Sequence, residues 1–195
     1  GRFESFGTGE GLPNDFVHAL YEDREGNLWV GTNTAGVSRL RDTPFRTVST
    51  SEGVPGDAVR AVFESRDGSM WVGTAAQGLA RLVNGTVTRW TTRNGLPGDG
   101  VSMIGESRDG AMWIGTPVGL IRMKAGSLTR YSTQSGLPHE NVRSLFEDRD
   151  GGIWIGTVGG VCRIDGERCH PVEGLSLYAR GFHQSADGAI WVAGH

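Results

Sequence analysis

Aligned on its recurring tryptophans, the chain places His18, Arg60, Ser102, Arg143 and Arg180 at one phase, each directly after a small apolar residue. Three arginines at five such positions exceed their overall frequency, because all but one (Lys124) of the 19 basic residues among 195 are arginine. Such a set suits an anionic or hydroxyl-rich ligand, held through charge-assisted hydrogen bonds. Nearby, Asn14, Asp15, Asp57, Asp99, His139, Glu140 and Asn141 vary and are polar, as recognition loops tend to be. A plainer reading is that all of these residues solvate a polar rim. Arginines scattered, or neutralised by the nearby acids, would favour it.

Covalent or acid–base chemistry finds less support. There is no Gly-x-Ser-x-Gly elbow, P-loop, His-Glu-x-x-His or Cys-x-x-Cys. His18, His139, His170, His183 and His195 fall at different phases without metal-ligand spacing, so no metal and no cofactor are expected. Glu22, Glu64, Glu106 and Glu147 recur at one phase beside Asp-Gly turns. A group repeated in every unit points to structure such as turn bonding, whereas an acid–base pair would be a single break in the pattern. Asp165-Gly166, taken as a two-residue turn, sets Cys162 opposite Cys169, within disulfide range. A bridge and a pair of free thiols both remain open.

The elements that carry these residues follow from repetition. Trp29, Trp71, Trp113, Trp154 and Trp191 are spaced 42, 42, 41 and 37 residues apart. Gly-Leu/Val-Pro lies eighteen residues before each of the first four, at Gly11, Gly53, Gly95 and Gly136. Within the second unit, Val59–Glu64 has strand composition and ends at the turn Ser65-Arg66-Asp67-Gly68. Met70–Thr74, Leu79–Val83 and Thr86–Trp90 follow as strands, the last two joined by the hairpin pair Asn84-Gly85. No stretch keeps a helical period without Gly or Pro. Four strands in about 41 residues make a blade, and the chain reads as an all-β, β-propeller fragment of four-stranded antiparallel blades.

The expected segments are 1–10 (last strand of a preceding blade), 11–52, 53–94, 95–135, 136–173 and a partial blade at 174–195. The five tryptophans fill the gap between facing blades, and the glycine two residues after the first four leaves room for close backbone approach. Inner strands surround the channel of a propeller, so the arginine-rich phase forms its rim.

The unit Gly-Leu-Pro-x-x-x-Val-x-x-Leu-x-Glu-Asp-Arg-x-Gly-x-Leu-Trp-Val-Gly-Thr…Gly-Val-x-Arg-Leu closely resembles the two-component regulator propeller repeat. Gly11 to Leu40 and Gly136 to Ile164 follow it almost position for position. WD-repeat units place Asp after Trp, where this chain has Val or Ile. The sialidase Asp-box is echoed by Ser65 to Trp71 with one residue missing between Asp and Gly. The resemblance implies the periplasmic or extracytoplasmic sensor region of a bacterial signalling protein, followed by a β-sandwich module, a transmembrane helix and a histidine kinase, diguanylate cyclase or DNA-binding output. It also implies more blades than these, so the fragment is an arc, and its setting would permit oxidation of Cys162 and Cys169. The implied partners are the remaining blades, the β-sandwich module and a small polar or anionic ligand, with no direct membrane contact. Open blade edges offer a route to association. A ring closed by pairing Phe3–Phe6 with the C-terminal strands is the alternative.

Composition excludes other classes. Net charge is −3 with acids and bases interspersed, so the basic stripe of a nucleic-acid binder is missing. The expected role is ligand sensing without catalysis by this segment. Alternatives are a structural or protein-interaction propeller and, behind it, a sialidase-like hydrolase or lyase.

Overall fold

A computed structural model describes residues 5–41 and 43–195. Four sheets have four strands each, paired antiparallel in chain order. They comprise β1 (Val17–Glu22), β2 (Leu28–Thr32), β3 (Val37–Arg41) and β4 (Thr43–Val48); β5 (Val59–Glu64), β6 (Met70–Thr74), β7 (Leu79–Val83) and β8 (Thr86–Trp90). Next come β9 (Met103–Glu106), β10 (Met112–Thr116), β11 (Gly119–Lys124) and β12 (Ser127–Tyr131), then β13 (Val142–Glu147), β14 (Ile153–Thr157), β15 (Gly160–Asp165) and β16 (Arg168–Pro171). β17 (Ala179–Gln184) and β18 (Ile190–Gly194) form a two-stranded sheet. The first strands pack side by side in the order β1, β5, β9, β13, β17, so the chain is a fragment of a β-propeller with these strands innermost. The expected strand Phe3–Phe6 lies mostly outside the described residues. Among the described residues, no helix is long and apolar enough to cross a membrane.

Packing between blades explains the Trp-x-Gly spacing. Trp29, Trp71 and Trp113 are buried in the seams between sheets. A Cβ on Gly31 would stand 2.7 Å from Val59, one on Gly73 2.5 Å from Val101, and one on Gly115 2.9 Å from Val142. Each glycine therefore admits the first apolar residue of the next inner strand, and Val59, Val101 and Val142 are at most 1% exposed. The role expected for Trp191 does not hold within this chain. It is 65% exposed, because among the described residues no sheet covers the outer face of β17–β18, and Trp154 is only half-buried.

Linkers between blades are more ordered than composition suggests. Single 3-10 turns occupy Thr8–Glu10, Thr50–Glu52 and Thr133–Ser135. The glycines that end them, Gly11, Gly53 and Gly136, have φ of 100° to 107°, a region that other residues enter only with strain. The following Leu12, Val54 and Leu137 drop into the core at 6% exposure or less.

The cysteine hairpin turns one residue later than expected. Asp165 pairs with Arg168, so Gly166-Glu167 forms the turn, with Gly166 at φ 57° in its first central position. Cys162 then opposes Pro171 and Cys169 opposes Ile164. The two cysteines are diagonal neighbours on one face, and with Cα atoms 5.6 Å apart they form a disulfide.

Candidate functional site

The arginine-rich phase coincides with a break in strand pairing. Along β1, β5, β13 and β17 the register slips at one residue, between Val17 and Ala19, Val59 and Ala61, Val142 and Ser144, and Ala179 and Gly181. The extra residues are His18, Arg60, Arg143 and Arg180. A bulge opposes two residues to one and re-aims the extra side chain, a device frequent at barrel rims and sites. In the third blade Ser102 occupies this phase just before β9, and its Oγ donates to the carbonyls of Gly115 (3.1 Å) and Val142 (2.6 Å).

These five positions differ in their partners. The His18 ring meets Asn33 Oδ1 at 3.0 Å. Arg60 is exposed and has no hydrogen bond or ion pair among the described residues. Arg143 and Arg180 both lie over the Tyr178 ring, with Cζ at 5.6 and 4.6 Å from its centroid. The three arginines are thus not neutralised by the linker acids.

Those acids have another use. Asp15 Oδ1 accepts from the Thr8 amide at 2.7 Å, Asp57 Oδ1 from the Thr50 amide at 3.3 Å, and Asp99 Oδ1 from the Thr92 amide at 2.6 Å. Glu140 Oε1 does the same for Thr133 at 2.9 Å. Each pair is seven residues apart and ties down one linker, so the acids expected as ligand contacts are engaged in loop closure. His139 Nδ1 accepts from the Asn141 amide at 2.9 Å, a local turn bond. Asn141 Oδ1, Glu140 Oε2 and Arg143 Nε are buried without a partner in the same stretch.

The opposite face carries a network of which the sequence reading anticipated only the turn bonding of the glutamates. Arg24, Arg66, Arg108 and Arg149, in the turns after the first four inner strands, reach across to the next blade. Their Nη1 atoms donate to the carbonyls of Arg66 (2.9 Å), Arg108 (2.7 Å), Arg149 (2.9 Å) and Ala186 (3.1 Å). In return the amides of Arg24, Arg66 and Arg108 are accepted by Glu64 (3.1 Å), Glu106 (2.7 Å) and Glu147 (2.7 Å) of the next blade. Glu64, Glu106 and Glu147 are therefore inter-blade clasps. Their shared spacing with the arginines was the available signal.

Beside the clasps sit Trp–Arg stacks, two of them with the indole bonded to an aspartate. Trp29 Nε1 donates to Asp23 at 2.7 Å and Trp154 Nε1 to Asp148 at 2.8 Å. Burial pushes both carboxyls up, but the indole and backbone donors outweigh it and hold them below the usual aspartate value. Strand-three arginines lie over the indoles, Arg81 on Trp71 at 5.7 Å and Arg122 on Trp113 at 5.6 Å. Clefts of about 420, 710 and 550 Å³ open on this face between successive blades, around Trp29, Trp71 and Trp113 respectively. None of the three is lined by a rim residue. No group of three or more His, Cys, Asp or Glu among the described residues could hold a metal.

The family model described as "Two component regulator propeller" matches residues 11–34, 53–76 and 136–159. The chain carries two-component regulator propeller repeats. The matched segments contain His18, Arg60 and Arg143 at the same phase. No curated protein sequence matches the chain. Among solved structures, it is similar to the extracellular domain of a protein described as a hybrid two-component system of B. thetaiotaomicron, with TM-score 0.77 and 20% identity over 93% of this chain and 26% of that one. It is also similar to virginiamycin B lyase of Staphylococcus aureus (TM-score 0.71, 17% identity, 92% of this chain and 63% of the lyase). A gluconolactonase of Xanthomonas campestris aligns with TM-score 0.60 and 15% identity over 93% of this chain and 70% of that one. At these identities the likeness is one of fold. The chain spans about a quarter of the first of these neighbours.

Proposed function

We propose that this chain is a segment of an extracytoplasmic, ligand-sensing propeller in a bacterial two-component-type signalling protein. A small polar ligand seated on the inner-strand rim biases how the propeller meets the module that follows it, and so sets the output. The observation that carries this reading is the bulged rim. Four repeats use the same backbone device to project His18, Arg60, Arg143 and Arg180. Side chains that a bulge projects and leaves without an acidic partner support recognition, whereas the clasps and stacks, which repeat, support architecture.

Two propeller enzymes share the fold, but the linker acids here are bonded back to threonines, which supports binding rather than acid–base chemistry. A thermal-shift screen of sugars and organic anions, repeated on R60Q and H18A, tests the proposal. A ligand that raises Tm in the parent and loses its effect in a rim variant is expected. No ligand effect, or effects untouched by rim substitutions, would leave a structural or protein-contact propeller.

A further inference from the structure

Of the four arginines stacked on tryptophans among the described residues, three have acidic partners and Arg39 on Trp29 has none. Arg81 on Trp71 pairs with Asp67, Arg122 on Trp113 with Asp109 at 2.6 Å, and Arg163 on Trp154 with Asp148 at 3.8 Å. Arg143 and Arg180 share the Tyr178 ring, yet neither has a hydrogen bond or ion pair among the described residues. Two like charges gathered on one ring repel, and that cost is ordinarily offset by an anion. Arg143 Nε adds a second cost, being a buried donor without an acceptor.

The convergence is built into the backbone. Both residues are the bulged members of adjacent inner strands, β13 and β17, which pack side by side. Ser144 Oγ fixes the strands to each other through the Ala179 carbonyl at 3.0 Å. Tyr178 is held by the hydrogen bond that its amide donates to the His195 carbonyl at 2.9 Å, with the His195 ring edge-on at 4.9 Å. Side chains anchored in this way meet a ligand with little further loss of freedom.

We infer that Arg143 and Arg180, backed by Tyr178, form a subsite for one oxyanion group (carboxylate, sulfate or phosphate) of the sensed molecule. This rests on the sensing reading and narrows it to acidic ligands. The oxyanion supplies the acceptor that Arg143 Nε lacks and neutralises the pair, and the guanidinium fork matches its geometry as an ammonium would not.

Titration with glucuronate, inorganic sulfate, inorganic phosphate and glucose at constant ionic strength tests the subsite, with the Arg143 Nε–H NMR signal as reporter. At least one oxyanion is expected to shift that signal saturably, and glucose is not. R143Q, R180Q and the charge-preserving R143K are each expected to weaken binding about tenfold or more. R93Q, an exposed linker change, leaves it unaltered. Amide spectra of the variants report whether they remain folded; Arg180 is exposed, so R180Q tests the pair even if an Arg143 variant unfolds. Equal affinity in wild type and R180Q, or no saturable shift with any oxyanion, overturns the inference. Rim binding by glucose alone would overturn it while sparing the sensing reading; shifts confined to the Trp71 and Trp113 clefts would defeat both.

Discussion

The inter-blade clasp can be weighed bond by bond at Arg108 and Glu147. Arg108 gives its amide to Glu147 Oε2 (2.7 Å), its Nε to Glu147 Oε1 (3.2 Å), and its Nη atoms to the carbonyls of Arg149 and Asp148. R108A removes the ion pair and both carbonyl bonds but leaves the amide in place. With the Arg108 side chain 53% exposed, solvent replaces part of what is lost, and the cost is about 1–2 kcal/mol. E147A removes the acceptor of the Arg108 amide hydrogen bond and the ion pair, at a similar cost. Only the Nε–Oε1 contact is shared, so the double variant should fall short of additivity by about 0.5–1 kcal/mol. Urea unfolding of the four proteins, followed by tryptophan fluorescence, measures this. Costs below about 0.3 kcal/mol for either single variant, or strict additivity, would refute the clasp as a coupling between blades.

Other outcomes follow from the same geometry. W113A should destabilise by about 3–5 kcal/mol because Trp113 is 2% exposed. W191A should cost under about 1 kcal/mol, since Trp191 is 65% exposed; comparison of the two Tm values checks both. Alkylation of the unreduced, denatured protein should label neither Cys162 nor Cys169, and removing their bridge should cost about 2–3 kcal/mol in urea. Asp23 and Asp148 are held below the ordinary aspartate value in the fold, so their contribution is complete above that value and disappears as pH falls through their lowered ones. Urea midpoints should therefore drop on acidification below about pH 4, and less steeply in D148N.

The repeat made the blades readable. Strands β5 to β8 occupy the residues that composition and turn signals assign to them, because Asn84-Gly85 and Ser65-Arg66-Asp67-Gly68 act locally. Spacing also identified Gly31, Gly73 and Gly115 as sites of close approach. Interactions between blades were harder to see. Arg66 and Glu106 are 40 residues apart, and only the curvature of the sheets brings a turn to its neighbour. Asp15 looked like a recognition residue because its partner Thr8 lies in a linker that composition left without structure. The cysteine hairpin slipped by one residue because a glycine can occupy either central position of a two-residue turn. The rim phase was visible, but its bulges were not, since a bulge is a property of the pairing with β2, β6, β14 and β18.

Ligand-induced protection from hydrogen–deuterium exchange is the most direct test of where this propeller senses. With a ligand taken from the thermal-shift screen, slowed exchange is expected at the starts of the inner strands, around Arg60, Arg143 and Tyr178–Arg180, with the Asp-Gly turns on the opposite face unchanged. Protection centred instead on those turns and the clefts beside Trp71 and Trp113 would contradict the account.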